Sequence, residues 1–418
     1  MMQRLFSLLL SLALLIPCGC GQSLPAANAS QDPPAAAAVP EDIPAPPEAP
    51  AELPAEPSEP EPPAPTTATL AVCGDAMSHM PVTNDVWDGE KYDYVRVMNG
   101  AKSWVEAADY AVVNLETTFA GGPKYSGYPA FNSPDDMARG LKDLGFDLCL
   151  TANNHSLDKG WSGLSRTLDV LDETGLAHVG TSRSQEEQDV NLVVADVGGI
   201  SVAFLGYTYG TNGIPIPKDH PYCINVFNTD YLSNLRDLDR DRLTSDLEQA
   251  KAAGTDLVAV MIHWGVEYQT TQNAYQEEIA DFLFANGADI ILGGHSHVPQ
   301  PMELRTLGDG RQGFVCYSLG NFISSQNDEY TDTTAVLTLE LTRDNETGET
   351  QVTGYSYAPM YMLDREAGAK PRFQLLDVYE TLASGEAGES LTRRLEKAVA
   401  DCHKIFGAAG DPRAVPAE

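Results

Sequence analysis

Apolar runs of β-type residues alternate with helical patterns along most of this sequence, and this alternation constrains the fold more than any other feature. The runs predicted to form strands are TLAVCGD, YAVVNLE, FDLCLTAN, LVVADV, ISVAFLGYT, DLVAVMIHW, ADIILGGH, FVCYSLGN and AVLTLEL. The predicted helices lie around residues 97–107, 134–144, 162–174, 239–253, 275–286 and 388–405. The alternation predicts α/β layers rather than an all-β sandwich, whereas the stretch 209–236 receives no assignment.

Most of these predicted strands end in a polar residue of a type that binds metal ions. The residues are Asp75, Glu116, Asn154 with His155, His263, and His295 with His297. Because functional groups of α/β sheets gather beyond the carboxyl ends of the strands, five segments are predicted to meet in one crevice. A single acidic residue in such a place is more often a helix cap or a turn former. Two histidines directly after a double glycine favour metal binding more strongly.

The order of these motifs resembles the binuclear metallophosphatases of the calcineurin-like superfamily. More narrowly, CGDAM, NLETTF, TANNHSLDKG, HWGVEY, GGHSHVPQP and YSLGNFI are together similar to the CapA branch, the poly-γ-glutamate capsule biosynthesis proteins. The resemblance covers roughly residues 67–365 and implies a four-layer αββα sandwich of two mixed sheets flanked by helices. Residues 366–418 lie beyond it and are predicted to form a helical extension.

The resemblance also implies a pocket with two divalent metal ions. The implied ligands are Asp75 and His297 for one ion, Asn154, His263 and His295 for the other, and Glu116 in place of the family's bridging aspartate. This mixture of oxygen and imidazole ligands suits Mn²⁺, Fe, Zn²⁺ or Mg²⁺ and does not choose among them. Met77 stands where the superfamily has a ligand histidine. The ion held by Asp75 and His297 would therefore lack one ligand, which puts full occupancy of its site in doubt. His79 is either a substitute ligand or a rim histidine.

Further roles follow from the same resemblance. His155 is implied to act as the acid on the leaving group with the help of Asp158, although Asp158 also suits a cap for the next helix. The residues specific to the CapA-like pattern are predicted to line the substrate pocket, and they are Trp264, Glu267, Tyr268, Gln300 and Asn321. For Trp264 and Tyr268 the alternative is packing of the strand-to-helix turn.

The N-terminal residues predict export. Residues 1–20 have the layout of a lipoprotein-type signal peptide, with Cys20 favoured over Cys18 as the lipidated residue, and plain secretion is the alternative. Residues 21–66 are rich in Pro, Ala and Glu and predict a disordered tether. We therefore expect the protein on the extracellular side of the cell membrane, anchored there by lipid.

The net charge of −34 disfavours nucleic acid, and we expect none as a partner, because binding to the phosphate backbone requires a basic surface. The expected partners are an anionic surface polymer or a phosphate ester, together with a membrane complex that synthesises the polymer. Three functions remain open: a factor in capsule or poly-γ-glutamate synthesis, export or anchoring; an extracellular metal-dependent phosphoesterase; and a metal-binding scaffold without catalysis.

Overall fold

The computed structural model describes residues 63–190 and 192–414. The predicted signal peptide with Cys20, and nearly all of the predicted tether, lie outside these residues. The strands are β1 (Thr66–Ala76), β2 (Tyr110–Leu115), β3 (Leu148–Leu150), β4 (Ala177–Val179), β5 (Val193–Val197), β6 (Ile200–Thr208), β7 (Leu257–His263), β8 (Ile290–Gly294), β9 (Pro299–Thr306), β10 (Gln312–Leu319), β11 (Asn321–Ile323), β12 (Thr333–Arg343), β13 (Thr350–Asp364) and β14 (Phe373–Asp377).

Helices connect many of these strands. They are α1 (Met80–Val86), α2 (Tyr94–Met98), α3 (Lys102–Ala107), α4 (Asp136–Leu144), α5 (Gly160–Thr174), α6 (Gln185–Val190), α7 (Arg240–Ala252), α8 (Ala274–Ala285), α9 (Val378–Ser384) and α10 (Glu389–Cys402). Within the described residues, no helix has the length and apolar character needed to cross a membrane.

The strands form two mixed sheets. In the first sheet the order is β14-β13-β12-β1-β2-β3-β4, with β11 pairing beside β1, and in the second it is β5-β6-β7-β8-β10-β9. β1 to β4 run parallel in the first sheet, and β6, β7, β8 and β10 run parallel in the second. Because each parallel set points its carboxyl ends the same way, the loops that follow these strands gather at one edge of each sheet.

Alternate side chains of the second sheet divide between two cores, as the two-residue period of a strand requires. One set packs with α7 and α8 and includes Ala203, Leu205, Val258, Val260 and Ile262. The other set packs with the first sheet and includes Val202, Phe204, Leu257, Ala259 and Met261. Direct contacts between the sheets include Tyr110 stacked on Phe204, with ring centroids 5.7 Å apart.

Helices α2 to α5 contribute to the core of the first sheet, while α9 and α10 cover β13 and β14. Two mixed sheets flanked by helices confirm the predicted fold class. Every predicted strand forms, with shifts of a few residues at the ends, and so do the predicted helices, except that the one around 97–107 is divided into the end of α2, a 3₁₀ turn at Asn99–Ala101 and α3. The predicted helical extension at 366–418 begins with β14, which joins the first sheet, and the sequence analysis did not predict this strand.

Candidate metal centre

The structure brings all six predicted metal ligands together where the ends of both sheets meet. Their positions are the end of β1 for Asp75, the residue after β2 for Glu116, the loop after β3 for Asn154, the end of β7 for His263, and the loop after β8 for His295 and His297. All six side chains are buried. Three groups of residues each bring together one ligand atom per residue, and within each group these atoms lie within 4.8 Å of one another. The groups are Glu116–His263–His295, Asp75–Glu116–His297 and Glu267–His295–His297.

The double glycine before His295 is required by close packing at this junction. A Cβ on Gly294 would lie 2.6 Å from Asp75 Oδ1, and a Cβ on Gly293 would lie 2.1 Å from the carbonyl oxygen of Tyr317. His295 and His297 themselves have φ angles of 95° and 59°, in the left-handed region that non-glycine residues seldom adopt. Strained backbone of this kind persists where the surrounding structure holds it, commonly at functional sites.

Asp75 is surrounded by hydrogen-bond donors. Its Oδ1 accepts from Asn114 Nδ2 at 2.7 Å, and its Oδ2 accepts from the backbone N–H of His295 at 3.1 Å. His297 Nδ1 lies 3.2 Å from the same Oδ2. Both carboxylate oxygens therefore already have protein partners. Asn114, inside β2, was not among the predicted site residues.

Glu116 has the opposite environment. Both of its carboxylate oxygens are buried and have no hydrogen-bond partner among the described residues. Oε1 lies 3.5 Å from His263 Nε2 and 3.9 Å from His297 Nε2. Burial raises the pKa of the Glu116 carboxyl, but the neighbouring His263 and His297 lower it more, so that the pKa lies below its usual range. Glu116 is thus an ionised carboxylate between two imidazoles.

The Asn154 amide oxygen and His263 share one side of the centre. Asn154 Oδ1 lies 3.0 Å from His263 Nε2, and Asn154 Nδ2 donates to Asn212 Oδ1 at 3.1 Å. Because the amide nitrogen of Asn154 donates to Asn212, the amide oxygen of Asn154 faces the histidines. Asn212 lies in the stretch that the sequence analysis left unassigned, and no sequence signal pointed to it.

The two histidines of the GGHSH loop have different proton affinities. Burial, together with His263 and His297, lowers the pKa of His295 well below its usual value, and its buried Nδ1 has no partner among the described residues. Burial lowers the pKa of His297 as well, but Glu116 and Asp75 outweigh it and raise this pKa to about 9. His295 is therefore neutral at pH 7, whereas His297 carries a proton when no metal is bound.

His155 and Asp158 form the predicted pair. His155 Nδ1 lies 2.7 Å from Asp158 Oδ2, which also accepts the backbone N–H of Phe131 at 2.6 Å. Because Oδ2 accepts the Phe131 N–H, we assign the shared proton of the pair to His155 Nδ1. The Phe131 ring packs edge-on against His155 with centroids 4.8 Å apart. Asp158 makes no side-chain cap on α5.

The predicted pocket residues divide by environment. Trp264 is buried, and its Nε1 donates to the Tyr317 carbonyl oxygen at 2.9 Å, which agrees with the packing alternative. Trp264 also lines the cavity beside Glu267, which agrees with the pocket prediction. Tyr268 is 42% exposed and lies near His297, with ring centroids 6.2 Å apart. Glu267 lies beside His295 at a cavity of about 420 Å³, lined also by Tyr209 and other residues.

Gln300 and Asn321 are buried, and neither is among the residues that line this cavity. Gln300 Nε2 donates to the backbone oxygens of Gln269 and Thr271, and its Oε1 accepts from Gln276 Nε2, so its polar atoms hold the loop after the HWGVEY motif. Asn321 pairs with Asp75 between β1 and β11, and its buried Oδ1 has no partner among the described residues.

His79 does not join the ligand groups of the described residues. Its Nδ1 lies 3.4 Å from the backbone N of Ser325, and its ring packs edge-on against Phe131 with centroids 5.1 Å apart. Met77, which stands in the place of the superfamily histidine, is buried. The structure therefore places His79 beside Phe131 rather than among the ligands.

The donor set fits a divalent metal ion. Among the predicted ligand atoms, the two Glu116 oxygens and His295 Nδ1 are buried without a hydrogen-bond partner in the described residues, and leaving them so is costly unless something binds them. Carboxylate, amide oxygen and imidazole in one cluster are ligands that Mn²⁺, Fe and Zn²⁺ accept. The cluster is thus compatible with divalent metal, without fixing how many ions bind or which.

Comparisons with known proteins agree with the motifs. The family model of the bacterial capsule synthesis protein PGA_cap matches residues 69–326. The capsule biosynthesis protein CapA of Bacillus anthracis is 30% identical over 285 residues, which cover 67% of this chain and 65% of that protein. The chain thus spans slightly less than two thirds of that relative.

Two further similarities complete the comparison. The PGA biosynthesis protein CapA of Bacillus subtilis (strain 168) is 29% identical over 280 residues, or 64% of this chain and 69% of that protein. A solved structure of a phosphatase from Mycoplasma pneumoniae overlaps with a TM-score of 0.42 and 14% identity, covering 71% of this chain and 95% of that chain. An overlap of that quality supports no inference about function.

Proposed function

This chain belongs to the bacterial capsule synthesis protein family PGA_cap, and from this premise we propose that it is an exported, membrane-tethered factor in the synthesis, export or anchoring of an anionic surface polymer such as poly-γ-glutamate. The observation that carries the proposal is the family match at 69–326, which spans every segment of the candidate metal centre. We propose that the factor works through this centre.

The residues that would hold two metal ions are Asp75, Glu116, Asn154, His263, His295 and His297, and Glu116 belongs to the ligand groups of both positions. When bound, such ions polarise phosphoryl oxygens and generate a nucleophile at neutral pH. The chain itself contributes a buried, ionised Glu116, a neutral His295 and an Asn154 amide whose oxygen Asn212 turns inward. His155, held by Asp158, is placed to exchange a proton through its other ring nitrogen.

The proposed location is the extracellular side of the cell membrane. Its support is the sequence alone: a lipoprotein-type segment ending near Cys20, followed by a proline-rich stretch. There the protein would meet a membrane complex that makes the polymer. Because the net charge is −34, an anionic polymer or phosphate ester must be held locally by the ions rather than by the general field of the protein.

Deleting the gene in its own bacterium tests the proposed role. We expect surface-bound polymeric glutamate, measured as glutamate released by acid hydrolysis of washed cells, to fall strongly and to return with the wild-type gene. A gene carrying His263→Ala is expected not to restore it, whereas Ala substitution of His403, which pairs with Asp411 near the C-terminus, serves as the control. Unchanged surface polymer in the deletion strain would contradict the proposal.

A second candidate, a metal-dependent phosphoesterase, is favoured by one observation. The buried His155–Asp158 pair lies close enough to Glu116 and His295 to influence the pKa of both, as a leaving-group acid of this centre requires. We expect the purified chain with Mn²⁺ to hydrolyse a chromogenic phosphodiester and His155→Ala to lower kcat by about 10²–10⁴-fold while metal content is retained. Absence of turnover in a metal-loaded wild-type protein would leave the scaffold function instead.

A further inference from the structure

We propose that the cavity beside the metal centre binds the amino end of a γ-linked glutamate chain. Arg236 pairs with the α-carboxylate of the first residue, and Glu267 pairs with its ammonium group. The inference rests on the proposed function and deepens it, because it names the part of the polymer that meets the centre.

The cavity opens onto the metal centre. Its volume is about 420 Å³, toward the small end of the range for ligand pockets, which suits one residue of a chain. His295 and Glu267 both line it. A carboxylate oxygen of Glu267 lies within 4.8 Å of ring nitrogens of His295 and His297, so Glu267 stands where the cavity meets the ligands.

Arg236 supplies a positive charge to the wall of this cavity. Its guanidinium lies over the ring of Tyr275, 5.9 Å from the centroid, and makes no hydrogen bond or ion pair with the residues that the structure describes. The Tyr275 hydroxyl donates to Asn228 Oδ1 at 2.6 Å, which fixes the ring under the arginine. The nearby Arg240, in contrast, pairs with Glu278. The planar fork of Arg236 is thus left for a carboxylate from outside the chain.

The loop that carries Arg236 is closed on itself. The backbone N–H groups of Arg236 and Asp237 both donate to Asp230 Oδ1 at 3.0 Å. Thr229 N–H donates to the Asp237 carbonyl oxygen at 2.8 Å, and Thr229 Oγ1 donates to Asp237 Oδ2 at 2.6 Å. The two aspartates therefore accept hydrogen bonds inside the loop, and they fix the backbone from which Arg236 reaches the cavity.

Glu267 supplies the opposite charge. The two ligand groups that contain Glu116 provide for both ions without it. Its carboxylate makes no hydrogen bond or ion pair with the part of the chain that the structure describes. The turn around it is held by Trp264 N–H and Tyr268 N–H, which donate to carbonyl oxygens of the GGHSH loop at 3.1 and 2.8 Å. A carboxylate held in this way and lacking a cation suits an ammonium group.

Two opposite charges in one cavity select a group that carries both. Arg236 attracts and Glu267 repels a purely anionic group, and an isolated ammonium meets the reverse, whereas an α-amino-acid head satisfies both side chains. In a γ-linked glutamate chain the first residue keeps its ammonium and its α-carboxylate, because the peptide bond uses the side-chain carboxyl. An α-linked peptide lacks the free α-carboxylate there. Free glutamate has the same head and is separated from the chain by the test.

Isothermal titration calorimetry of the purified full-length protein with Mn²⁺ tests the proposal with four probes. They are γ-linked triglutamate, the same compound acetylated at its amino group, the α-linked isomer and free glutamate, each made from D- and from L-glutamate. We expect γ-linked triglutamate to bind at least about tenfold more tightly than the acetylated compound and the isomer, because each of these lacks one charged contact. It should also bind more tightly than free glutamate, because its further carboxylates reach the ions.

Two variants assign the charges. Arg236→Gln is expected to bind γ-linked triglutamate about tenfold more weakly and to lose the preference over the α-linked isomer. Glu267→Gln is expected to lose the effect of acetylation and to keep its Mn²⁺. Both residues are exposed, so both variants should melt at the wild-type temperature. Arg393→Gln on α10 and Glu248→Gln on α7, also exposed, are the matched controls and should bind like wild type.

Four results would overturn the inference. They are a wild type that binds the two isomers equally, free glutamate that binds as tightly as the γ-linked chain, an Arg236→Gln protein that binds like wild type, and a Glu267→Gln protein that still responds to acetylation or loses Mn²⁺. None of them touches the proposed function, which is contradicted only when deletion of the gene leaves the surface polymer unchanged.

Discussion

Asp75 at the end of β1 and Glu116 directly after β2 belong to neighbouring parallel strands of the same sheet, and both are fully buried, yet their surroundings are opposite. Three protein groups surround the oxygens of Asp75, whereas those of Glu116 have no partner among the described residues. The first carboxylate is satisfied by the fold, and the second is left open for something else. A carboxylate at a strand end is thus not a ligand by position alone, because its remaining acceptor capacity decides what it can bind.

The largest loss of metal binding is expected for Glu116→Gln, which changes the carboxylate that has no protein partner. Glutamine has nearly the same shape but removes the charge and one acceptor from the residue shared by both ion positions. Metal affinity should fall by more than about 100-fold, beyond the range typical of residues that only support ligands. Calorimetric titration with Mn²⁺ measures it, with Asp75→Asn as the paired variant, and equal losses in the two variants would erase the distinction between the two carboxylates.

The pH dependence of metal binding sharpens the comparison through His297, which lies between the two carboxylates. Its pKa of about 9 means that a metal ion must displace a proton from it at neutral pH. Affinity should therefore rise with pH by up to about tenfold per unit between pH 6.5 and 9. Glu116→Gln should flatten this slope in whatever binding remains, and a pH-independent wild type would contradict the account.

The proton on His297 also affects the free energy of unfolding when no metal is present. A histidine whose pKa is raised in the folded state stabilises that state fully below its unfolded pKa of about 6.5. This contribution is lost as the pH rises through about 9. Urea titrations of the metal-free protein should give a free energy of unfolding that falls between about pH 6.5 and 9. A free energy of unfolding that rises over this range would show that His297 does not carry the proton.

Asn212→Ala tests whether a residue behind the ligands sets their direction. The Asn154 amide would lose the acceptor that holds its oxygen toward His263, at 3.1 Å in the wild type. The ion position that includes Asn154 and His263 should bind Mn²⁺ about tenfold more weakly, and the position that includes His297 about as before. Two-site fits of the Mn²⁺ titration give the result, and Ser233→Ala, at an exposed residue of the same stretch, is the control.

The smallest effect is expected for His79→Ala. His79 lies against Phe131 and Ser325, outside the ligand groups found among the described residues. Both ion affinities should change by less than the roughly tenfold loss that begins the range for ligand-supporting residues. Loss of either ion from this variant would instead show that His79 replaces the superfamily's ligand histidine, whose place Met77 occupies.

The sequence predicted the fold well because its periodic signals are strong. Long apolar runs such as ISVAFLGYT and DLVAVMIHW became β6 and β7. The missed strands lack such a signal: β4 and β11 have three residues each, β9 contains two prolines, and Pro359 interrupts β13. Their pairing is set by neighbours that are distant in the sequence.

The candidate site was predicted only in part for a related reason. Strand-end motifs named the six residues that meet, because each motif is local. The state of each ligand depends on hydrogen bonds from other segments: Asn114 lies 39 positions from Asp75, and Asn212 lies 58 positions from Asn154. Nothing in the sequence distinguishes either asparagine from one with a purely structural role. The difference between Asp75, whose oxygens have partners, and Glu116, whose oxygens have none among the described residues, is therefore visible only in the structure.

The most direct measurement is a crystal structure of the protein soaked with Zn²⁺, with the ions located by anomalous scattering at the zinc edge. The account predicts ions at coordination distance, about 2.0–2.2 Å, from Glu116 oxygens, with Asp75 still hydrogen-bonded to Asn114 and the His295 backbone. An ion bound directly by Asp75, with Glu116 outside coordination distance of every ion, would contradict it.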